Sequence, residues 1–396
     1  MFEALQPPAP DKILSLIGLF RDDPRPHKID LGVGVYRDSA GRTPVMRAVR
    51  EAERRLYETE ETKAYLGPGG DPSYCGAVAQ LVFGDSLAAD RLASAQTPGG
   101  AGALRILASL VARAHPGAAV WLPDPTWVNH HAIFADAGLA TRSYPYFDPI
   151  GGGVRIDAMI AELGRAAPGD IVLLHGCCHN PTGAGLASGE WEQVCELVLA
   201  RGLVPFVDLA YQGFGDGLDQ DAEAVRLFAR RVPEMLVAVS NCKNFSIYRE
   251  RTGCAFVLTD SPARVQAVQG QLLTCARIAY SMPPDHGGSL VRIILQDPAL
   301  AGQWREELEA MRSRIMALRG QLAAAFAERS NSDRYAFLLR HRGMFSLIGT
   351  TPQQVERLRG EHAIYMVEDG RINIAGLTED QVERFVSAVL AVIRTG

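Results

Sequence analysis

The stretch that decides the fold runs from Ile171 to Lys243. Ile171-Val172-Leu173-Leu174-His175 is a short apolar run that leads into His179-Asn180-Pro181-Thr182-Gly183. Leu203-Val204-Pro205-Phe206-Val207 then runs into Asp208 and Tyr211, and Leu236-Val237-Ala238-Val239 into Ser240 and Lys243. Helical patterns near Glu190–Ala200 and over Asp221–Arg231 separate the three runs. Short β-rich runs alternating with amphipathic helices predict a mostly parallel, doubly wound sheet. Each gap is one βα unit, so Asn180, Asp208 and Lys243 are expected at the same carboxyl edge, where open α/β sheets bind ligands.

Outward from this stretch the pattern continues. Ala101–Ala114 has helical spacing, Ala119–Leu122 and Cys254–Leu258 read as strands, and Thr97-Pro98-Gly99-Gly100-Ala101-Gly102 is a glycine-rich turn opening a helix. Neither this turn nor Gly32-Val33-Gly34 completes a dinucleotide fingerprint. Toward the carboxyl end, a helix over Ala310–Glu328 and strand-like pieces at Phe337–Leu339, Met344–Ile348 and Arg371–Ile374 suggest a separate α+β domain. The expected organisation is an arm over 1–10, a small domain from 11–44 and 311–396, and a large α/β domain over 45–310.

With 396 residues, net charge −5, 47% hydrophobic and 21% charged residues, the chain has the composition of a two-domain globular protein and not of a disordered or nucleic-acid-binding one. Met1–Pro10 does not read as a secretory signal and no apolar run approaches a membrane span, so a cytoplasmic protein is expected. Seven scattered cysteines fit reduced thiols. Cys177, Cys178, His179 and His175 invite a metal, but adjacent cysteines without a second pair make a poor tetrahedral site, and none is expected.

Lysine is scarce. Only Lys12, Lys28, Lys63 and Lys243 occur, against 36 arginines. The first three sit among charged or proline-containing segments and read as solvated. Lys243 lies between a strand and the apolar run Phe245–Tyr248, where an ammonium is costly unless paired, and where a neutral amine is a nucleophile for an aldehyde. Pyridoxal phosphate requires a lysine for its aldehyde, an acid for its ring nitrogen, and donors for its phenolic oxygen and phosphate. Lys243, Asp208, and Asn180 with Tyr211 supply the first three; the glycine-rich turn, Ser240 and Arg251 offer a phosphate cradle.

Ser240-Asn241-Cys242-Lys243-Asn244-Phe245, His179-Asn180-Pro181-Thr182-Gly183, Asp208-Leu209-Ala210-Tyr211-Gln212-Gly213-Phe214 and Gly370-Arg371-Ile372-Asn373-Ile374-Ala375-Gly376 together resemble a fold-type I pyridoxal-phosphate aminotransferase of the aspartate and aromatic-amino-acid branch. The likeness runs from Phe2 to near the carboxyl end. It implies that Lys243 carries the cofactor and moves the substrate α-proton, that Asp208 pairs with the ring nitrogen with His130 behind it, and that Tyr211 and Asn180 bond the phenolic oxygen. Trp127 would stack on the ring. Gly100, Ala101, Ser240 and Arg251 would hold the phosphate, with Tyr65 reaching from a partner subunit. Arg371, Asn180 and Gly34 would take the substrate α-carboxylate, and Arg277 of the neighbouring subunit the distal one, so a homodimer with shared sites is implied.

Some positions bear on substrate. Arg277, Val35, Arg37 and Thr43 look like the aspartate branch, whereas Met282, Ala101 and Ala64 replace polar residues of that branch. Leu173-Leu174-His175 and Pro205-Phe206-Val207-Asp208 lean toward the aromatic side. The resemblance therefore implies transfer from aromatic amino acids or aspartate to 2-oxoglutarate by a ping-pong mechanism. An aspartate-specific enzyme, a lyase or decarboxylase on the same cofactor, and a cofactor-free binding protein are the alternatives.

Overall fold

The computed structural model describes residues 1–6, 12–86 and 89–394; part of the expected arm, Pro7–Pro10, lies outside the described residues. Contacts divide the chain into two compact units. The larger comprises Thr43–Arg314 with His341–Gly343, and the smaller Met1–Arg42, Ile315–Arg340 and Met344–Gly396.

The larger unit is built on a seven-stranded sheet whose spatial order is Leu92–Pro98, Thr252–Leu258, Met235–Ser240, Val204–Leu209, Ile171–His175, Ala119–Asp124, Ala140–Pro145. Only Thr252–Leu258 runs against its neighbours. Ile171–His175 and Met235–Ser240 are buried at every position, as expected of parallel strands covered on both faces. The apolar runs thus became strands because each removes a continuous hydrophobic segment from water. Leu104, Leu107, Leu110 and Val111 of the Gly99–Ala114 helix pack with Leu173, Phe206 and Leu236 in one core.

Register sets the site edge. His175 pairs with Asp208, and Leu209 with Val239, so the Ile171–His175, Val204–Leu209 and Met235–Ser240 strands end side by side. Two strands of this sheet escaped the sequence reading: Leu92–Pro98 and Ala140–Pro145, the latter largely exposed and polar at an edge.

In the smaller unit, Phe345–Leu347 pairs antiparallel with Arg371–Asn373, and Ile29–Asp30 pairs parallel with Ile364–Tyr365. The expected strand at Phe337–Leu339 is instead a 3-10 turn over Ala336–Leu339, in which Leu338 and Arg340 amides close local bonds to Tyr335 and Phe337 carbonyls. The helix expected over Ala310–Glu328 extends over Pro298–Ser330, because the residues before Ala310 carry buried Leu300, Trp304 and Leu308 at helical spacing.

The loop after Tyr211 is held by one buried carboxylate: Asp221 accepts from the amides of Gly213, Gly215 and Asp216 at 2.8–2.9 Å. Asp221→Ala should lower the unfolding free energy by about 2–4 kcal/mol in urea titrations, because buried donors lose a charged partner.

Candidate active site

Lys243 follows the Met235–Ser240 strand within a turn-rich segment, its side chain partly buried and its Nζ 5.0 Å from the centre of the Tyr211 ring. Burial pulls its pKa below the ordinary lysine value, and the nearby Arg251 charge acts in the same direction. The other lysines have different surroundings. Lys28 donates to the carbonyls of Phe20 and Asp23 at 2.6 Å, so it closes the end of a helix rather than standing in solvent as expected. Lys63 pairs with Glu60 on the surface, and the Lys12 side chain lies outside the described atoms.

Asp208 and Tyr211 are each 7% exposed. The Asp208 Oδ2 lies 3.1 Å from His130 Nε2; His130 Nδ1 is 2.8 Å from Thr126 Oγ1, which is 3.1 Å from His175 Nε2. Burial opposes ionisation of Asp208, yet the His130 hydrogen bond and the surrounding positive charge outweigh it and hold the carboxyl below its usual value. This chain ends at Asn180, whose amide donates to His175 Nδ1 at 3.4 Å. Trp127 is half-buried and meets His130 edge to face, 5.3 Å between ring centres. Sequence reasoning misses Thr126 and weighs His175 only as a metal ligand; their signal is a hydroxyl four residues before His130 and a histidine ending a wholly apolar strand.

The phosphate candidates also converge. Gly99 has φ +75°, and a Cβ there would stand 2.6 Å from Arg251 Nη2; a Cβ on Gly100 would stand 3.0 Å from that of Ser240. The Arg251 guanidinium is steadied by Cys242 Sγ at 3.3 Å and the Tyr248 carbonyl at 2.9 Å. Gly100 and Ala101 lie in the first turn of the Gly99–Ala114 helix, whose amide dipoles favour an anion. A cradle open only because it lacks side chains, with a guanidinium over it, fits a phosphate; the amine and carboxylate beside it fit the rest of pyridoxal phosphate.

Other candidates lie elsewhere. Tyr65 is 93% exposed and Arg277 is exposed near the end of the Pro262–Tyr280 helix. Arg371 and Gly34 belong to the smaller unit, where Arg371 Nη2 donates to the Gly32 carbonyl at 2.8 Å. Donor atoms of Cys177, Cys178 and Asp221 lie within 4.8 Å of one another. That carboxylate is already engaged by three amides. The Cys177 thiol is pushed well up by its hydrogen bond with Cys178 and by burial, which disfavours thiolate.

His175 is buried and its pKa is pushed down to about 3, chiefly by desolvation. A base depressed in the folded state is neutral there while the unfolded chain takes up a proton below about pH 6.5, so stability falls as pH drops through this window. Unfolding free energies measured from pH 7 to 4.5 should fall less steeply in His175→Gln, by up to about 1.4 kcal/mol per pH unit.

Residues 26–389 match the model of the family aminotransferase class I and II. The chain is 49% identical over 392 residues to an aromatic-amino-acid aminotransferase of Paracoccus denitrificans, covering 99% of this chain and 100% of the relative. It is 43% identical to an aspartate aminotransferase of Escherichia coli (strain K12), with coverage of 99% and 100%. A crystal structure of an aromatic-amino-acid aminotransferase from Burkholderia pseudomallei, covalently bound to pyridoxal phosphate, superposes with TM-score 0.96 at 43% identity, covering 99% of both chains. With this likeness spanning nearly every residue, the chain belongs to the aminotransferase class I and II family, whose cofactor is pyridoxal phosphate, and is an aminotransferase.

Proposed function

We propose that the protein transfers the amino group of aromatic amino acids and of aspartate to 2-oxoglutarate, releasing the first oxo acid before the second binds. The observation that carries this reading is the Lys243 amine, depressed by burial, set beside the Asp208 carboxylate that His130 keeps ionised. Pyridoxal phosphate supplies an electron sink for the electrons left at the substrate Cα when its proton is removed.

The chain's own residues do the rest. The Lys243 amine would hold the cofactor through its aldehyde and, once free, would take the substrate α-proton and return it one carbon away. A depressed pKa suits it, since bonding to the aldehyde and taking up the proton both need the neutral amine. Asp208 would keep the ring nitrogen cationic, and His130 with Thr126 and His175 holds that carboxylate in place. Tyr211 and Asn180 would bond the phenolic oxygen, and Trp127 would cover the ring. Gly100, Ala101, Ser240 and Arg251 would bind the phosphate, joined by Tyr65 of a second copy. Arg371, with Asn180 and the Gly34 backbone, takes the α-carboxylate through its bidentate fork.

Arg277 is the proposed partner of a distal carboxylate, again from a second copy; the exposure of Tyr65, Leu66 and Ile278 around these residues supports a homodimer. Met282 supports an additional aromatic range, because its Sδ accepts from the Leu66 amide at 3.1 Å where the aspartate branch has a polar side chain. A cytoplasmic location completes the reading; among the described residues no helix is long and apolar enough to cross a membrane.

Steady-state rates with phenylalanine, tyrosine and aspartate as donors to 2-oxoglutarate test this reading. All three should turn over with oxo-acid formation and no loss of CO2. Negligible turnover of both aromatics would leave an aspartate-specific enzyme, and CO2 release would make it a decarboxylase.

A further inference from the structure

Resting on the reading of Arg371 as the α-carboxylate anchor, we propose that Phe345 is a positioning residue for that anchor, held in turn by the buried Arg319. Nothing in the motifs singles out either residue. Both lie within the smaller unit, as does Arg371.

The Arg371 carbon Cζ stands 4.5 Å from the centre of the Phe345 ring, within the range of a cation–π contact. Arg371 is 6% exposed and Phe345 3%, so little water competes with this contact. The ring is fixed from several directions. Its Cζ would lie 2.8 Å from a Cβ on Gly34, so only glycine lets the Gly34 backbone approach this closely. The Phe345 backbone pairs with Asn373 in the strand ladder that carries Arg371. Asn373 Nδ2 donates to the carbonyls of Val33 and Val35 at 2.7 Å, which ties the Gly34 segment to the same ladder.

Arg319 supplies the remaining constraint. It is fully buried, on the apolar stripe that includes Ile315, Leu318 and Leu322. Its Nη2 donates to the Phe345 carbonyl at 2.8 Å and its Nη1 to Ser346 Oγ at 2.8 Å. Burying a guanidinium is expensive, and it is placed here where it grips the backbone bearing the ring. A bidentate fork binds a carboxylate only if its plane is set beforehand, and stacking on a ring sets a plane without consuming the N–H donors.

The role differs from one in a side-chain pocket because every amino-acid donor shares the α-carboxylate. The losses on removing the ring should therefore be equal across donors. In Phe345→Leu holoenzyme, KM for phenylalanine and aspartate, and the inhibition constants of 3-phenylpropionate and glutarate, should rise by one common factor of roughly two- to thirty-fold. The cofactor absorbance and kcat should change less than about twofold. Phe345→Tyr, which keeps the ring, should stay near wild type; Phe345→Met, an unbranched apolar side chain without a ring, should behave as the leucine variant and serves if that one folds poorly. Arg371→Gln should lower kcat/KM for both donors, and adding Phe345→Leu to it should cost less than twofold more.

A loss confined to one donor would overturn the proposal, as would an equal cost of Phe345→Leu in the Arg371→Gln background or unchanged constants in both Phe345→Leu and Phe345→Met. If Arg371→Gln itself leaves kcat/KM unchanged, the assignment of Arg371 falls, and this role for Phe345 with it.

Discussion

Everything at the site follows from the desolvation of an amine and a carboxylate at the ends of buried parallel strands. Strands covered on both faces offer no water to ionised side chains, so such groups persist at their ends only when paired or neutralised. The fold resolves the two in opposite senses. The Lys243 amine shifts toward its neutral form, while the Asp208 carboxylate stays ionised because His130 reaches it at 3.1 Å. One sheet edge thereby holds an amine shifted toward its neutral form and a fixed negative charge. The Thr126–His175 link behind His130 carries that arrangement back to the end of the neighbouring strand.

Much of this was legible in the sequence because the signal was local. An apolar run ending in a polar residue predicts both a parallel strand and a group at its carboxyl edge, and Ile171–His175 appears at its expected bounds. The scarcity of lysine made the choice of amine a small problem. What escaped has a physical reason in each case. Ala140–Pro145 is a strand through pairing at an edge and not through a hydrophobic pattern. Phe337–Leu339 is apolar enough for a strand, but local bonds close it into a turn. Arg319 is one of 36 arginines, and only its position on an apolar stripe distinguishes it from a solvated one. The Phe345–Arg371 contact joins residues 26 apart through strand register, which spacing alone does not reveal.

Arginine is used in three physically different ways. Arg251 lies over a glycine cradle, its guanidinium 2.6 Å from where a Gly99 side chain would begin. Arg371 holds its guanidinium carbon 4.5 Å from the centre of a buried ring. Arg319 donates inward to a carbonyl and a hydroxyl and touches no solvent. Most of the remaining ion pairs are exposed, where each contributes little. The abundance of arginine is therefore uninformative by count and informative by burial, just as the scarcity of lysine acquires meaning only when one of the four is found at a strand end.

The most direct measurement is reduction of the purified protein with borohydride followed by peptide mapping. The visible absorption band should bleach and a single modified peptide should carry the cofactor on Lys243. Modification of Lys12, Lys28 or Lys63 instead, or a band that bleaches without any covalent adduct on Lys243, would contradict the account.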